Sequence, residues 1–200
     1  MHLTIDQIPR HVGGKIWAAL IAPRPIALIT TRDENGTPNI APYNAFCGLA
    51  NHPPMLGVSF SRRGGGPKNT LANIQATRVF VVNLVPRFLA EIMNKSAEGA
   101  EREDDFARLG LTRANAGSVD CPRVAESPAA LECKVAAIHP LPPSQCELVV
   151  GEIVGVHIRD EYVVNDQGFD PMAADLLASV GAEDYLSLNG ETLFLPRTWG

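Results

Sequence analysis

The strongest constraint on the fold is a pair of short apolar runs joined by turn-forming residues. PIALITT (Pro25 to Thr31) is rich in β-branched side chains and is followed by Asp33-Glu34-Asn35-Gly36. Asn-Gly between two extended runs predicts a hairpin, because both residues tolerate positive φ. The returning strand is then PNIAPYN, Pro38 to Asn44. Neither proline can donate to a ladder, so this strand belongs at a sheet edge or a bulge.

Further strands are predicted at PMLGVSF (Pro54 to Phe60), VFVVNLV (Val79 to Val85), ALECKVAAI (Ala130 to Ile138) and CELVVGEIVGVHI (Cys146 to Ile158). Most connections read as hairpins rather than helical crossovers. The expected fold is therefore mainly β, an antiparallel sheet closed on itself with peripheral helices. Helical spacing predicts one helix around Leu71 and Ile74, with Asn69 or Thr70 as N-cap, and another in FLAEIMNK after Pro86. Ser96 to Asp120 reads as an acidic surface excursion with a short helix near Asp105 to Leu109. A last helix is expected over Pro171 to Ser179, before an apolar run from Thr192 to Leu195. No repeat or linker divides the chain, so residues 1–200 read as one domain, with a core over about 20–160 and a tail over 161–200.

A net charge of −5 argues against general binding of nucleic acid, which needs a basic surface. No apolar run approaches the roughly 20 residues of a membrane span, and no basic-then-apolar leader opens the chain. A cytoplasmic location is the expectation. Cys47, Cys121, Cys133 and Cys146 show neither CxxC nor metal-ligand spacing and are expected to be reduced thiols. His2, His11, His52, His139 and His157 show no metal spacing either, and no metal is expected.

The stretch SRRGGGPKNT, Ser61 to Thr70, lies between a strand and a helix. It fails the GxxxxGK[ST] phosphate loop, because Lys68 follows Pro67 and precedes Asn69. It also fails GxGxxG, because Asn69 occupies the third glycine position and no parallel βαβ unit surrounds it. A helix start nonetheless offers unpaired N–H groups and a partial positive charge, to which Lys68 and Thr70 add a cation and a hydroxyl. That combination suits a terminal phosphate monoester such as FMN or pyridoxal phosphate. The loop alone leaves this reading and a plain solvated loop both open. Nearby polar positions bear on the choice: Asn39, Tyr43 and Asn44 on the returning strand, Ser59 and Ser61 at a strand end, and Asn83 inside VVNLV. A polar side chain in an apolar strand needs a partner, which for Asn83 is either a ligand or a neighbouring loop.

Taken in order, RPIALITTRDENGTPNIAPYNAF, PPMLGVSF, KNTLANIQATRVFVVNLV and PRVAESPAALECKV resemble the flavin reductase-like family of FMN-binding split barrels, in the longer flavoredoxin-type form. The likeness runs from about Pro23 to His157. It implies a six-stranded Greek-key split barrel acting as a homodimer, with FMN, or alternatively FAD, as cofactor and NADH or NADPH as electron donor. It leaves open a monooxygenase partner that consumes the reduced flavin, and two alternatives to a reductase: a flavoredoxin-type electron-transfer flavoprotein to which a protein partner supplies or from which it removes electrons, and a non-catalytic flavin-binding protein. Carried over by position, the flavin contacts are Asn39, Ala41, Pro42, Tyr43 and Asn44, then Ser59, Phe60, Ser61 and Arg62. Lys68, Asn69 and Thr70 fall at the phosphate, Asn83 near the ribityl chain or phosphate, and Tyr185 over the flavin from the tail. Asn69 stands where the family usually has aspartate, and Tyr43-Asn44-Ala45 stands where small hydroxyl or aromatic residues are usual. The resemblance assigns no catalytic residue, and His157 is either a nicotinamide-orienting group or an ordinary strand histidine.

Overall fold

The structure is a computed structural model describing residues 2–62, 68–98, 103–165 and 168–192. Its main sheet has seven strands: β1 (Ala27–Arg32), β2 (Pro38–Tyr43), β3 (Phe46–Asn51), β4 (Pro54–Phe60), β5 (Val79–Leu84), β6 (Ala129–Pro140) and β7 (Glu147–Ile158). The spatial order is β2-β1-β5-β6-β7-β4-β3, and every adjacent pair is antiparallel. The ladder thus has one strand more than the six expected. The addition is β3, an edge strand that the sequence reading passed over.

Two consecutive strands occupy opposite edges of this sheet, and the connection between them forces the sheet to curl. Only Asn44 and Ala45 separate the end of β2 from the start of β3, a span of at most about 11 Å. In a flat sheet the Tyr43 strand and the Phe60 strand would lie five spacings, about 24 Å, apart. Their ring centroids are instead 4.7 Å apart. The edges meet without a shared ladder, which is a split barrel.

Strand alternation sends neighbouring residues into two cores. Ala27 and Ile29 face inward with Leu56, Val58, Phe60, Phe80, Val82 and Val149, and helix α2 (Asn69–Thr77) contributes Leu71 and Ile74. Ile26, Leu28 and Ile40 face outward, under Val85, Met93, Phe106 and Leu109. Helices α3 (Ala90–Ser96) and α4 (Asp105–Leu109) cover that outer face. Burial on both sides explains why PIALITT is apolar almost throughout. At Gly151 the barrel interior leaves no room for a side chain: a Cβ there would sit 2.7 Å from Phe80 Cζ.

The hairpin over Asp33–Gly36 forms as expected, with Gly36 at φ 86° and Asp33 Oδ1 accepting from the backbone N–H groups of Asn35 and Thr37. Edge strand β2 is blunted in a particular way. Ile40 N–H points away from β1 and donates to Asp105 Oδ2 at 2.7 Å. Pro38 and Pro42, two residues either side, share its orientation and have no N–H to leave unpaired.

Two expectations need correction, and one helix was not anticipated. Pro171 to Ser179 is not a helix: turns lead into a strand, Leu177–Ser179, which pairs with Arg24–Pro25 and Tyr185–Ser187. An unforeseen helix, α1 (Arg10–Leu20), precedes the barrel and leaves Trp17, Leu20 and Ile21 exposed at 39%, 74% and 67%. The N-cap of α2 is Lys68, so Asn69 and Thr70 are its first helical residues. The run beyond Glu191 falls almost wholly outside the described residues.

Candidate functional site

A cleft of about 330 Å³ lies along β2. Pro38 to Tyr43 form its floor, Lys68, Asn69, Thr70 and Asn73 one wall, and Ser96 to Glu98 with Glu103, Asp105 and Arg108 the other. Asp33, Thr37 and Pro38 close the hairpin end. Blunting β2 with prolines frees its flank from strand pairing, and the two helical segments flank the space so left.

The α2 wall is the electropositive one. Lys68 has extended backbone (φ −66°, ψ 158°), and no side chain caps the helix. Among the described residues the first-turn N–H groups of α2 therefore have no side-chain acceptor, and they carry the positive end of the helix dipole. Thr70, only 2% exposed, accepts a hydrogen bond from Asn39 Nδ2 at 2.9 Å, which leaves its own proton free to donate. Asn73, one helical turn on, donates to Thr31 Oγ1 at 3.1 Å and ties α2 to β1.

Tyr43 is 9% exposed, and among the described residues its buried hydroxyl has no hydrogen-bond partner. Burial pushes its pKa up to about 12; the neighbouring Thr70 hydroxyl counters part of that rise, yet the pair lacks hydrogen-bond geometry. The phenol therefore stays a neutral donor across the physiological range, in the floor of the cleft and without an acceptor. A buried donor without an acceptor thus sits beside the start of α2.

The opposite wall is acidic. Asp104 caps α4 through Phe106 N and Ala107 N, which positions Asp105 and Arg108 one after the other. Asp105, 6% exposed, accepts from Ile40 N and from Arg108, whose Nε and Nη2 lie 2.8 and 2.6 Å from Oδ1. Glu103 lies 3.5 Å from the same guanidinium.

Of the residues singled out in the sequence, Asn39, Ala41, Pro42, Tyr43, Lys68, Asn69 and Thr70 line this one cleft. The others lie elsewhere. Asn83 is fully buried, and its amide is consumed internally: Nδ2 donates to Leu28 O at 2.9 Å and Thr30 Oγ1 at 3.1 Å, and Oδ1 accepts from Val124 N at 2.8 Å. It pins the Pro122–Val124 strand to the barrel and presents nothing to a ribityl chain or phosphate. Phe60 is fully buried against Tyr43, so it reaches the cleft only by supporting that ring. Arg62 pairs with Glu147, which also accepts from Gln75 Nε2 at 3.1 Å. Ser59 N donates to Ala45 O at 2.9 Å, which extends the β3–β4 pairing by one residue, and Asn44 and Ser61 lie beside it outside the cleft lining. Tyr185, 43% exposed, belongs to the small three-stranded sheet. His157 is half-buried on β7 opposite Ala130; desolvation, then the Arg123 charge, lowers its pKa. Arg63 and Gly64 to Pro67 of the glycine stretch lie outside the described residues.

Sequence reasoning missed the acidic wall. Its one signal was the Asp104-Asp105 pair ahead of FARL, a capped helix start inside what read as a polar excursion.

Fold and site together define a class: an antiparallel split barrel with a cleft beside its edge strand. Residues 20–173 match the family described as flavin reductase like domain, and the chain belongs to that family. An uncharacterized protein of Deinococcus radiodurans is 31% identical over 204 residues, covering 98% of this chain and 89% of the relative. Among solved structures, nitrilotriacetate monooxygenase component B from Bacillus cereus superposes with a TM-score of 0.91 at 24% identity, over 98% of each chain, a likeness of fold. Flavoredoxin of Desulfovibrio vulgaris (Miyazaki F) is 27% identical with a TM-score of 0.72, covering 88% of this chain and 91% of its own.

Proposed function

We propose that the chain is an FMN-binding oxidoreductase that takes reducing equivalents from NADH or NADPH. The observation that carries the reading is the Tyr43 hydroxyl, buried without an acceptor in a cleft that an uncapped helix start and Lys68 make receptive to an anion. These residues fit the terminal phosphate of FMN. Lys68 supplies a charge, Thr70 and the first-turn N–H groups of α2 supply donors, and Asn39 holds Thr70 in the donating orientation. Bound FMN supplies the electron-accepting ring, so the chain itself needs no acid–base dyad. Its residues orient the group and exclude water.

The same reading takes the protein as a homodimer. The apolar side chains that α1 and β3 leave in solvent, Trp17, Leu20, Ile21 and Leu49, support it. Likeness to flavoredoxin at 27% identity favours a second reading, an electron carrier that keeps its flavin and exchanges electrons with a protein partner.

Anaerobic mixing of the flavin-loaded protein with NADH or NADPH separates the two. Rapid bleaching of the flavin absorbance supports the reductase. Bleaching only by a reduced protein donor supports the carrier, and no bleaching by either leaves a flavin-binding module without turnover.

A further inference from the structure

We propose that the chain modifies itself: Asn189 is a site of spontaneous deamidation, while the same dipeptide at Asn35-Gly36 is kept from that reaction by the hairpin it builds. Nothing in this depends on a bound flavin.

Asn-Gly occurs twice in the sequence, at Asn35-Gly36 and at Asn189-Gly190. The pair is reactive because glycine has no Cβ to shield its own backbone nitrogen, and the asparagine carboxamide lies within ring-closing reach of it. The glycine nitrogen gives its proton to solvent base and attacks Asn Cγ. The new C–N bond closes a succinimide, the Cγ–Nδ2 bond breaks, and ammonia leaves with a proton from water. Water then opens the ring. Cleavage at Cγ gives aspartate, and cleavage at the main-chain carbonyl gives isoaspartate. The net change consumes water, releases ammonia and adds a negative charge. No electrons move, so no oxidant or reductant is needed.

The two sites differ in what their nitrogens do. Gly36 N–H donates to Asp33 O at 3.0 Å. Asp33, 8% exposed, fixes the turn around it: Oδ1 accepts from Asn35 N at 2.9 Å and Thr37 N at 2.8 Å, and Asp33 N–H donates to Thr37 O at 3.0 Å. Attack by Gly36 must first break this turn, so hairpin opening precedes the chemistry. Asn189 lies just past the strand Tyr185–Ser187, and both it and Gly190 are exposed. Among the described residues Gly190 N–H makes no hydrogen bond. A Cβ at Gly190 would meet nothing within 4 Å, so no neighbour shields the nitrogen or hinders ring closure.

The test is peptide mapping of the full-length protein after incubation at mildly alkaline pH, with and without urea. Mass spectrometry reads the exchange of amide for acid, and chromatography separates aspartyl from isoaspartyl peptides. In the folded protein the Asn189 peptide should convert first. The Asn35 peptide should be slower by on the order of tenfold or more, because its hairpin must lose several hydrogen bonds beforehand. In urea the two rates should converge. Gly190→Ala, which the open surroundings accommodate and no positive φ forbids, should slow conversion at Asn189 several-fold and leave Asn35 unchanged. Asp33→Ala should instead speed conversion at Asn35 several-fold and leave Asn189 unchanged. Equal rates in the folded protein, or a faster Asn35, would overturn the protection by the hairpin. An Asn189 that stays intact until urea is added would overturn the site itself.

Discussion

Replacing Tyr43 by phenylalanine should move stability and ligand affinity in opposite directions. The phenol oxygen is buried and unpartnered, and a buried polar group left unsatisfied costs about 1–3 kcal/mol. Tyr43→Phe removes that cost while keeping the ring that packs on Phe60 at 4.7 Å. The flavin-free variant should therefore be more stable than the wild type, by about 1–3 kcal/mol. In the complex the same hydroxyl donates to a charged acceptor, an interaction of about 1.5–3 kcal/mol. FMN should accordingly bind about 10- to 100-fold more weakly. Urea unfolding of the flavin-free protein and fluorescence titration with FMN read the two quantities separately. A variant that is less stable when flavin-free and binds FMN at wild-type affinity would refute the reasoning, because the hydroxyl would then have a partner inside the chain.

Other consequences are open to simpler assays. Lys68→Ala and Thr70→Ala should each weaken FMN by about 1–3 kcal/mol and leave riboflavin affinity nearly unchanged, read by the same titration. Gly151→Ala would drive a methyl group into Phe80, a fully buried ring, and should cost about 1–3 kcal/mol in urea unfolding. Cys121 and Cys133, whose thiols burial pushes up to about 12, keep their protons in the folded chain after the unfolded chain has lost them. Their contribution is whole below about pH 9 and falls as pH rises toward 12, by about 2 kcal/mol per thiol near pH 10.5. Alanine at both positions should flatten this alkaline slope in unfolding titrations, and an unchanged slope would contradict the assignment.

What the sequence made legible followed from local rules. Asp33-Glu34-Asn35-Gly36 announced its hairpin because a two-strand turn with positive φ has few compatible sequences. The prolines of PNIAPYN announced an edge for the same sort of reason, the missing N–H. Strand β3 went unread because FCGLAN is exposed along most of its length and so shows no alternation. Helix α1 went unread because Gly13 and Gly14 depress its propensity and its apolar residues pack little on the rest of the chain. PMAADLLAS carries helix-forming residues, but pairing of Leu177–Ser179 with two other strands overrides that preference.

The site divides along the same line. Asn39, Tyr43, Lys68 and Thr70 were legible because they sit on the strand and helix start that the chemistry itself singles out. Asp105 and Arg108 were not, because their role comes from α4 packing against β2, a contact with no local signature. Asn83 shows the converse: a polar residue in an apolar strand marks a need for partners, and here Leu28, Thr30 and Val124 meet it from within.

The account depends on where the flavin phosphate lies. A crystal structure of the FMN complex reads this directly. The account predicts phosphate oxygens within hydrogen-bond distance of the first-turn N–H groups of α2, with Lys68, Thr70 and the Tyr43 hydroxyl as their side-chain contacts. Flavin bound with its phosphate away from α2, and the Tyr43 hydroxyl still without an acceptor, would contradict it.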